Sequence, residues 1–450
     1  MRFAVEEINN STTLLPNVSL GYEIFDHCSN TKNFPSVLSF ISNNGSIKPK
    51  EKLNNYRPKV IALTGPYGST PTITIAPLIT MDLIPLVNYG ATSSVLSNTL
   101  QYPSFVRTIP SNKDLIEMII HIIRWFGWNW VAFLGSQDDY SSDGLKLFNE
   151  YISNTGICLA YQESLSLNAN YSLTLQKIDM LNINVIVVFA VPQYANKIIK
   201  AAIANNIQDK VWIASQAWAM NQQIPREPGI GKIGTIIGIT ERLLSVPGFN
   251  EFVYKDRRTT DIIHNEVSDI QSTSKTCNQV CDYCTLLTPE EIINENPTFS
   301  FAIYAAIYTI AHALHKVLQC DMNECRKNIA VKPYMGSWMQ AGVEQMIHND
   351  THRRRGDTRS HRERWRQVTL CLKYVWVTVA MASSSDKHYL TPDDTHHMCV
   401  ICLGEDHARS VLEGAECADC ERISEKSVTD SRADLIIKLL RCLSKISFVM

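Results

Sequence analysis

The sequence predicts an α/β protein built on two doubly wound parallel sheets, followed by an irregular C-terminal tail. Three observations carry this. Strand-like and helix-like segments alternate between residues 1 and 245. One of the strands, Asn184 to Ala190 (NVIVVFA), is after its first residue a continuous, largely β-branched apolar run, the pattern of a parallel strand covered on both faces. Four turns of small or polar residues directly follow strand-like segments, where open parallel sheets bind ligands.

Taken in order, Phe3 to Ile8 begins a helix, and Val18 to Phe25 alternates as a strand. Lys59 to Leu63 is an apolar strand ending at Gly65-Pro66, and Leu83 to Val87 is a second apolar stretch. From Asp114 to Phe126 the residues Leu115, Met118, Ile119, Ile122 and Ile123 share one face of a helix. Trp130 to Leu134 is a strand, Leu173 to Leu181 a helix, Asn184 to Ala190 a strand and Ala195 to Ala204 a helix. Val211 to Ser215 and Gly234 to Ile239 are strands, and a long amphipathic helix covers Phe299 to Leu318. No βα alternation resumes after Tyr334, and no repeat of 20 to 50 residues exists.

Length and composition bound the function. The 450 residues predict two or three domains, and 45% hydrophobic with 19% charged residues suffices for a sizeable core. A net charge of -2 predicts no nucleic-acid partner. No uncharged apolar run reaches the roughly 18 residues of a membrane span, the nearest being Val368 to Met381 with Lys373 inside it. Residues 1–20 contain Glu6 and Glu7 and lack the basic start and apolar centre of a secretory leader. Against that, sequons begin at Asn9, Asn10, Asn17, Asn44 and Asn170, and Cys28, Cys158, Cys277, Cys281, Cys284, Cys320 and Cys325 are scattered as in an extracellular disulfide framework.

Catalytic patterns fail one by one. Gly65 to Thr70 (GPYGST) has the glycines and hydroxyls of a phosphate cradle but no lysine. Gly229 to Gly234 (GIGKIG) has dinucleotide-loop spacing but precedes a strand instead of following one. GxSxG and HExxH are absent, and the pair Asp138-Asp139 reads as a solvated turn. The chain is therefore expected not to be an enzyme and to require no cofactor. What remains is the set of turns after strands: Tyr67-Gly68-Ser69-Thr70, Gly90-Ala91-Thr92-Ser93, Asp138-Asp139-Tyr140 and Ser215-Gln216-Ala217-Trp218. If they converge, their hydroxyls and backbone N–H groups suit a carboxylate, with Tyr140 as an aromatic wall.

The tail differs in character. Residues 351–367 hold seven arginines against Asp357 and Glu363, a run that is more often solvated than nucleic-acid-binding. Residues 399–420 contain two CxxC pairs, Cys399/Cys402 and Cys417/Cys420, a spacing that can supply four thiolates to zinc; chance cysteines in an unfolded segment are the alternative. This tail is faintly similar to cysteine segments of retroelement Gag-type proteins.

Five long motifs lie in order: MRFAVEEINNSTTLLPNVSLGYEIFDHCS (1–29), YPSFVRTIPSN (102–112), FGWNWVAFLGSQDDY (126–140), VWIASQAWA (211–219) and PTFSFAIYAAIYTIAHALHKVLQC (297–320). Over about residues 1–334 the chain resembles the ectodomain of class C G-protein-coupled receptors, in particular the taste receptor type 1 family. The resemblance implies a bilobed Venus-flytrap domain, related to periplasmic binding proteins. Residues 1–110 and 243–334 would form lobe 1, residues 111–242 lobe 2, and 335–450 an unrelated tail. Such a domain binds an amino acid or sugar between its lobes and closes on a hinge. It would pair with a second class C subunit as a heterodimer on the extracellular side of the plasma membrane, and reach a G protein through a seven-helix domain.

Carried over residue by residue, the resemblance implies ligand contacts from Ser69, Gly90, Ala91 and Thr92 in lobe 1. It implies others from Tyr140, Gln216 and Ala217 in lobe 2, with Asn112 at the crossover. Gln216 stands where the family often has a glutamate for the ligand ammonium, which weakens the expectation of amino-acid specificity. Ser141-Ser142 follows Tyr140 where glycine is common. The family also implies a leader and a first strand before Met1, a partner upstream for Cys28 and one downstream for Cys158, so the sequence reads as a partial receptor. The rival reading is an intracellular zinc-binding or nucleic-acid-interacting fusion product carrying a receptor remnant.

Overall fold

The computed structural model describes residues 1–25, 60–81, 83–221, 223–240, 246–255, 288–294, 297–326, 328–332 and 335, together with the backbone of strands at 376–380 and 399–402. The chain divides into two compact units, Met1–Ile109 with Leu243–Leu372, and Pro110–Arg242 with Lys373–Met450.

In the first unit, α1 (Arg2–Asn9) buries Ala4, Val5 and Ile8, one face of a helix. Strand β1 (Leu63–Thr64) leads through a loop to α2 (Ser69–Thr80), followed by β2 (Leu86–Asn88), a 3-10 turn (Ser94–Ser97) and β3 (Phe105–Arg107). The three strands are parallel in the order β1-β2-β3.

Helix α2 lies where a small-polar turn was expected. Its sequence, STPTITIAPLIT, is rich in β-branched residues and has Pro77 in its interior, so intrinsic propensity argues against a helix. Burial decides otherwise. Ser69, Thr72, Ile75, Ala76 and Ile79 form one inward stripe at helical spacing.

The expected strand Val18 to Phe25 is not formed. Tyr22 and Ile24 are exposed, and a side chain replaces a strand ladder at Leu20. The Leu20 N–H donates to Asn9 Oδ1 at 2.7 Å, and Asn9 Nδ2 donates back to the Leu20 carbonyl at 3.0 Å. The segment has the alternating pattern of a strand, but no strand among the described residues pairs with it.

The second unit opens with α3 (Asn112–Trp125), started by a capping box in which the Ser111 side chain accepts from the Asp114 N–H and the Asp114 carboxylate from the Ser111 N–H. Then come β4 (Trp130–Ser136), α4 (Asp139–Ile152), β5 (Cys158–Leu165), α5 (Tyr171–Met180), β6 (Val185–Phe189), α6 (Pro192–Ala204), β7 (Lys210–Ala214), the short α7 (Gln216–Ala219) and β8 (Gly234–Thr240). Helix α4 and strand β5 complete the βα alternation; the Asp138-Asp139 pair expected as a solvated turn is the start of α4, and β5 lies in a segment left unassigned from sequence. Strand β5 sits at the edge of the sheet with residues open to solvent, so it lacks the apolar run of an interior strand.

The strand order β8-β7-β6-β4-β5 is that of a doubly wound sheet. The chain runs outward from β4 to β5 and returns to β6 on the other side of β4. Each strand feeds two cores. Val131, Phe133, Val185, Val187 and Phe189 face α3 and α4, while Ala132, Leu134, Ile186 and Val188 face α5 and α6.

Back in the first unit, α8 (Pro289–Asn294) precedes the long α9 (Pro297–Val317), against which α1 packs. Tyr304 donates to Glu7 at 2.7 Å, and the Leu15 N–H donates to His315 Nδ1 at 3.2 Å. That bond needs a neutral ring nitrogen, and burial lowers the His315 pKa in that direction. Cys320 and Cys325 are joined in a disulfide, and Cys158 is an exposed free thiol.

The described part of the tail is two strands, β9 (Trp376–Ala380) and β10 (Cys399–Cys402). They continue the second sheet antiparallel beyond β8, with Ile237 opposite Val379 and Cys399 opposite Val379 on the other side. Cys28, Cys277, Cys281, Cys284, Asn44, Cys417 and Cys420 lie outside the described residues.

Candidate functional site

The predicted ligand residues fall at the carboxyl ends of parallel strands in both units, and each half is built by side chains that the sequence did not single out.

In the first unit the organiser is Asn88, the last residue of β2 and fully buried. Its Nδ2 donates to the Pro66 carbonyl at 2.9 Å and to Thr72 Oγ1 at 3.1 Å. Its Oδ1 accepts from the N–H groups of Gly90 and Ala91, at 2.8 and 2.6 Å. One amide therefore ties the loop after β1, the first turn of α2 and the loop after β2 together. The N–H groups of Gly90 and Ala91, expected to be open to a ligand carboxylate, are spent inside the protein.

Ser69 is similarly engaged. Its Oγ accepts from the Ser93 N–H at 3.1 Å, and the residue is 2% exposed. Gly90 is required by contact, since a β-carbon there would lie 2.5 Å from the Tyr67 ring. The Tyr89 ring lies over Gly65, and burial raises its phenol pKa. Thr92 is the exception. It is 4% exposed, and its hydroxyl has no hydrogen-bond partner among the described residues.

In the second unit Asn112, at the first turn of α3, is fully buried. Its Nδ2 donates to the Tyr140 carbonyl at 2.9 Å and to Asp143 Oδ2 at 2.8 Å, so it fixes the start of α4, while Oδ1 has no partner among the described residues. Asp138 caps α4 by accepting from the Ser141 N–H at 2.8 Å. That gives the Asp-Asp pair a structural role. The Tyr140 ring stacks on Phe189 with centroids 4.4 Å apart.

Phe189 in turn needs Gly144, where a β-carbon would come within 2.5 Å of its ring. The serine at 141 is accommodated because residue 135 is glycine; the Ser141 hydroxyl occupies the space a β-carbon at 135 would need. Gln216 begins α7 and is buried, Ala217 packs against the α3/α4 side of the core, and Trp218 Nε1 donates to the Val188 carbonyl at 2.9 Å. The hydroxyl of Ser215, just before α7, is buried without a partner among the described residues.

The structure thus brings Ser69, Gly90, Ala91 and Thr92 together in one unit, and Asn112 and Tyr140 together in the other. Gln216 and Ala217 follow β7, two strands from β4 in the same sheet. The residues missed from sequence were Asn88, Asp143 and Phe189. A polar residue closing an apolar strand was the available signal for Asn88.

Other expected sites are less complete. Asn9 has both amide atoms bonded to Leu20, and Asn17 Nδ2 donates to the Asn323 carbonyl at 3.3 Å. Asn170 is exposed and its oxygen caps α5 by accepting from the Leu173 N–H; Asn10 is exposed at the end of α1. No group of three metal-ligating side chains stands together among the described residues. No helix among them is long and apolar enough to cross a membrane.

Comparison with known proteins agrees with this architecture. The family described as receptor family ligand binding region matches residues 1–358. Taste receptor type 1 member 1 of Mus musculus is 34% identical over 369 residues, covering 78% of this chain and 42% of that protein. The Homo sapiens member 1 is 32% identical over 365 residues, again 78% of this chain and 43% of the relative. Taste receptor type 1 member 2 of Cebuella pygmaea is 33% identical over 344 residues, 73% of this chain and 40% of the relative. The chain therefore spans about two-fifths of the length of these receptors. A parallel α/β fold in two units, strand-end loops with buried hydroxyls and a match over most of the chain give one conclusion: the protein belongs to the receptor family ligand-binding region, in the class C G-protein-coupled receptor group that includes the taste receptors.

Proposed function

We propose that this chain is the extracellular ligand-binding domain of a taste-type receptor, that a small polar ligand such as an amino acid or sugar binds between its lobes, and that hinge closure carries the signal. The observation that carries this is a buried hydroxyl at a strand end in each unit, Thr92 in one and Ser215 in the other, each without a partner among the described residues. A buried hydroxyl without a bond costs about 1–3 kcal/mol. A polar ligand would supply the missing partner. Tyr140, fixed by Phe189 and by Asn112, gives the ligand an apolar face. No cofactor is needed for this work.

A second class C subunit is the proposed partner. Leu78, Met81 and Leu83, at the end of α2 and just after it, are exposed apolar side chains on the first unit, and Met81 is 78% exposed. The G protein would be reached through a seven-helix domain of the intact receptor. The Cys320–Cys325 disulfide and exposed sequons at Asn10 and Asn170 fit the extracellular side of the plasma membrane.

Thr92→Ala and Tyr140→Ala should each weaken ligand binding by about 1–3 kcal/mol, through a lost hydrogen bond and lost ring packing. Titration calorimetry on the purified chain measures this, and unchanged affinity in both variants rejects the site. Gln216→Glu should raise affinity for an α-amino acid, with a gain that shrinks as salt is added. An unaltered amino-acid affinity would mean that the ligand presents no amine at that position.

Zinc is proposed for the tail alone, on Cys399, Cys402, Cys417 and Cys420. The chain should then retain one equivalent of zinc after dialysis and lose it in Cys417→Ser. Metal-free wild-type protein in reducing buffer would reject the zinc site.

A further inference from the structure

We propose that Arg107 is a positioning residue that aims Thr92 at the ligand by holding the peptide between Ala91 and Thr92 in one orientation. The proposal rests on the ligand reading above. It names a residue outside the set that touches the ligand.

Arg107 is the last residue of β3 and lies beside Asn88 in the strand register. Its Nη1 donates to the Ser93 carbonyl at 2.9 Å and to the Ala91 carbonyl at 3.3 Å, and its Nη2 donates to the Ser97 hydroxyl. The guanidinium carbon is 5.9 Å from the centre of the Phe105 ring. A planar fork with five donors can hold two carbonyls and a hydroxyl at once; an ammonium on a flexible stem lacks that geometry.

Peptide planarity gives this grip a consequence. In a trans peptide the carbonyl and the following N–H point in opposite directions. With the Ala91 carbonyl drawn to Arg107, the Thr92 N–H is turned away from the cation. The neighbouring amides are engaged elsewhere: Gly90 and Ala91 donate to Asn88, and Ser93 donates to Ser69. A bond from a charged donor also polarises the Ala91–Thr92 amide and makes its N–H a better donor. The buried Thr92 hydroxyl is the second group presented. An N–H and a hydroxyl from one residue suit an acceptor with two oxygens, which is the carboxylate already expected at this loop from the family resemblance. Arg107 places its positive charge behind the loop and acts through a peptide, without spending its own donors on the ligand.

The test uses the purified full chain as wild type, Arg107→Met, Arg107→Lys, Ser97→Ala, Thr92→Val and the double variant Arg107→Met/Thr92→Val. The probes are L-alanine, L-serine and L-glutamine, titrated separately by calorimetry, with amide hydrogen exchange read over residues 90–94. Arg107→Met should weaken the bound probe at least tenfold and Arg107→Lys by less. The double variant should be within about twofold of Arg107→Met, because Thr92 is no longer aimed. Exchange over 90–94 should rise while that of β6 and β7 stays unchanged. Ser97→Ala alters only an exposed hydroxyl and should shift binding and exchange in the same direction by a smaller factor, so the test survives if Arg107→Met folds poorly. Additive losses in the double variant, or unchanged exchange over 90–94, overturn the proposal. If wild type binds none of the three probes, the amino-acid reading fails, and the exchange result alone decides whether Arg107 holds the loop.

Discussion

Asn88→Leu is expected to destabilise the first unit by about 3–5 kcal/mol and to abolish ligand binding, although Asn88 is not proposed to touch the ligand. Leucine fills nearly the same volume but can make none of the four bonds formed by the Asn88 side chain. The Ala91 N–H would stay buried and the Gly90 N–H half-buried without an acceptor, and the Pro66 carbonyl would lose a donor. Stranded groups of this kind cost more than a bond contributes on average, because they were removed from water and have nothing to replace it. Urea unfolding measures the loss, and amide exchange at Gly90 and Ala91 should rise well above that of β6 and β7. Stability within about 1 kcal/mol of wild type would show that the loops hold their places without the amide.

Gly234→Ala should have an effect of similar or larger size in the second unit. Gly234 opens β8 at φ +117°, a backbone region open to glycine and strained for other residues. It is paired in register with Lys210, and an added β-carbon would overlap the Lys210 carbonyl oxygen on β7. Backbone cannot move aside as a side-chain tip can. The substitution should separate the start of β8 from β7 and cost more than about 3 kcal/mol. Lys210 makes this a sensitive place, for it is 7% exposed and held by Asp179 at 3.0 Å and by Asn184 at 3.3 Å. Circular dichroism and thermal unfolding check the result. A variant with unaltered melting would mean that β7 and β8 tolerate a different register.

Much of this protein could be read from its residues. The helix of α3 was legible because Leu115, Met118, Ile119, Ile122 and Ile123 repeat at helical spacing, and all five are buried. Strand β6 was legible because Val185 to Phe189 are apolar on both faces, as a central parallel strand must be. That the candidate ligand residues follow strands was legible from the same pattern, since turn residues show where each strand stops.

The sequence by itself therefore determined the elements with strong periodicity, the α/β class and the family, because each depends on residues near one another in the chain. Tertiary structure decided the rest. Segment 18–25 has the alternation of a strand but is hydrogen-bonded at Leu20 by the Asn9 side chain; α2 is helical because its inward stripe is buried, against its local propensity. The roles within the loops were decided in the same way. Gly90 and Ala91 have the composition of a ligand cradle, yet their N–H groups bind Asn88, while the Thr92 hydroxyl has no partner among the described residues. Composition says which donors exist along a loop. Which of them remain for a ligand depends on side chains from other strands, such as Arg107 and Asn88, and those meet the loop only when the sheet has formed.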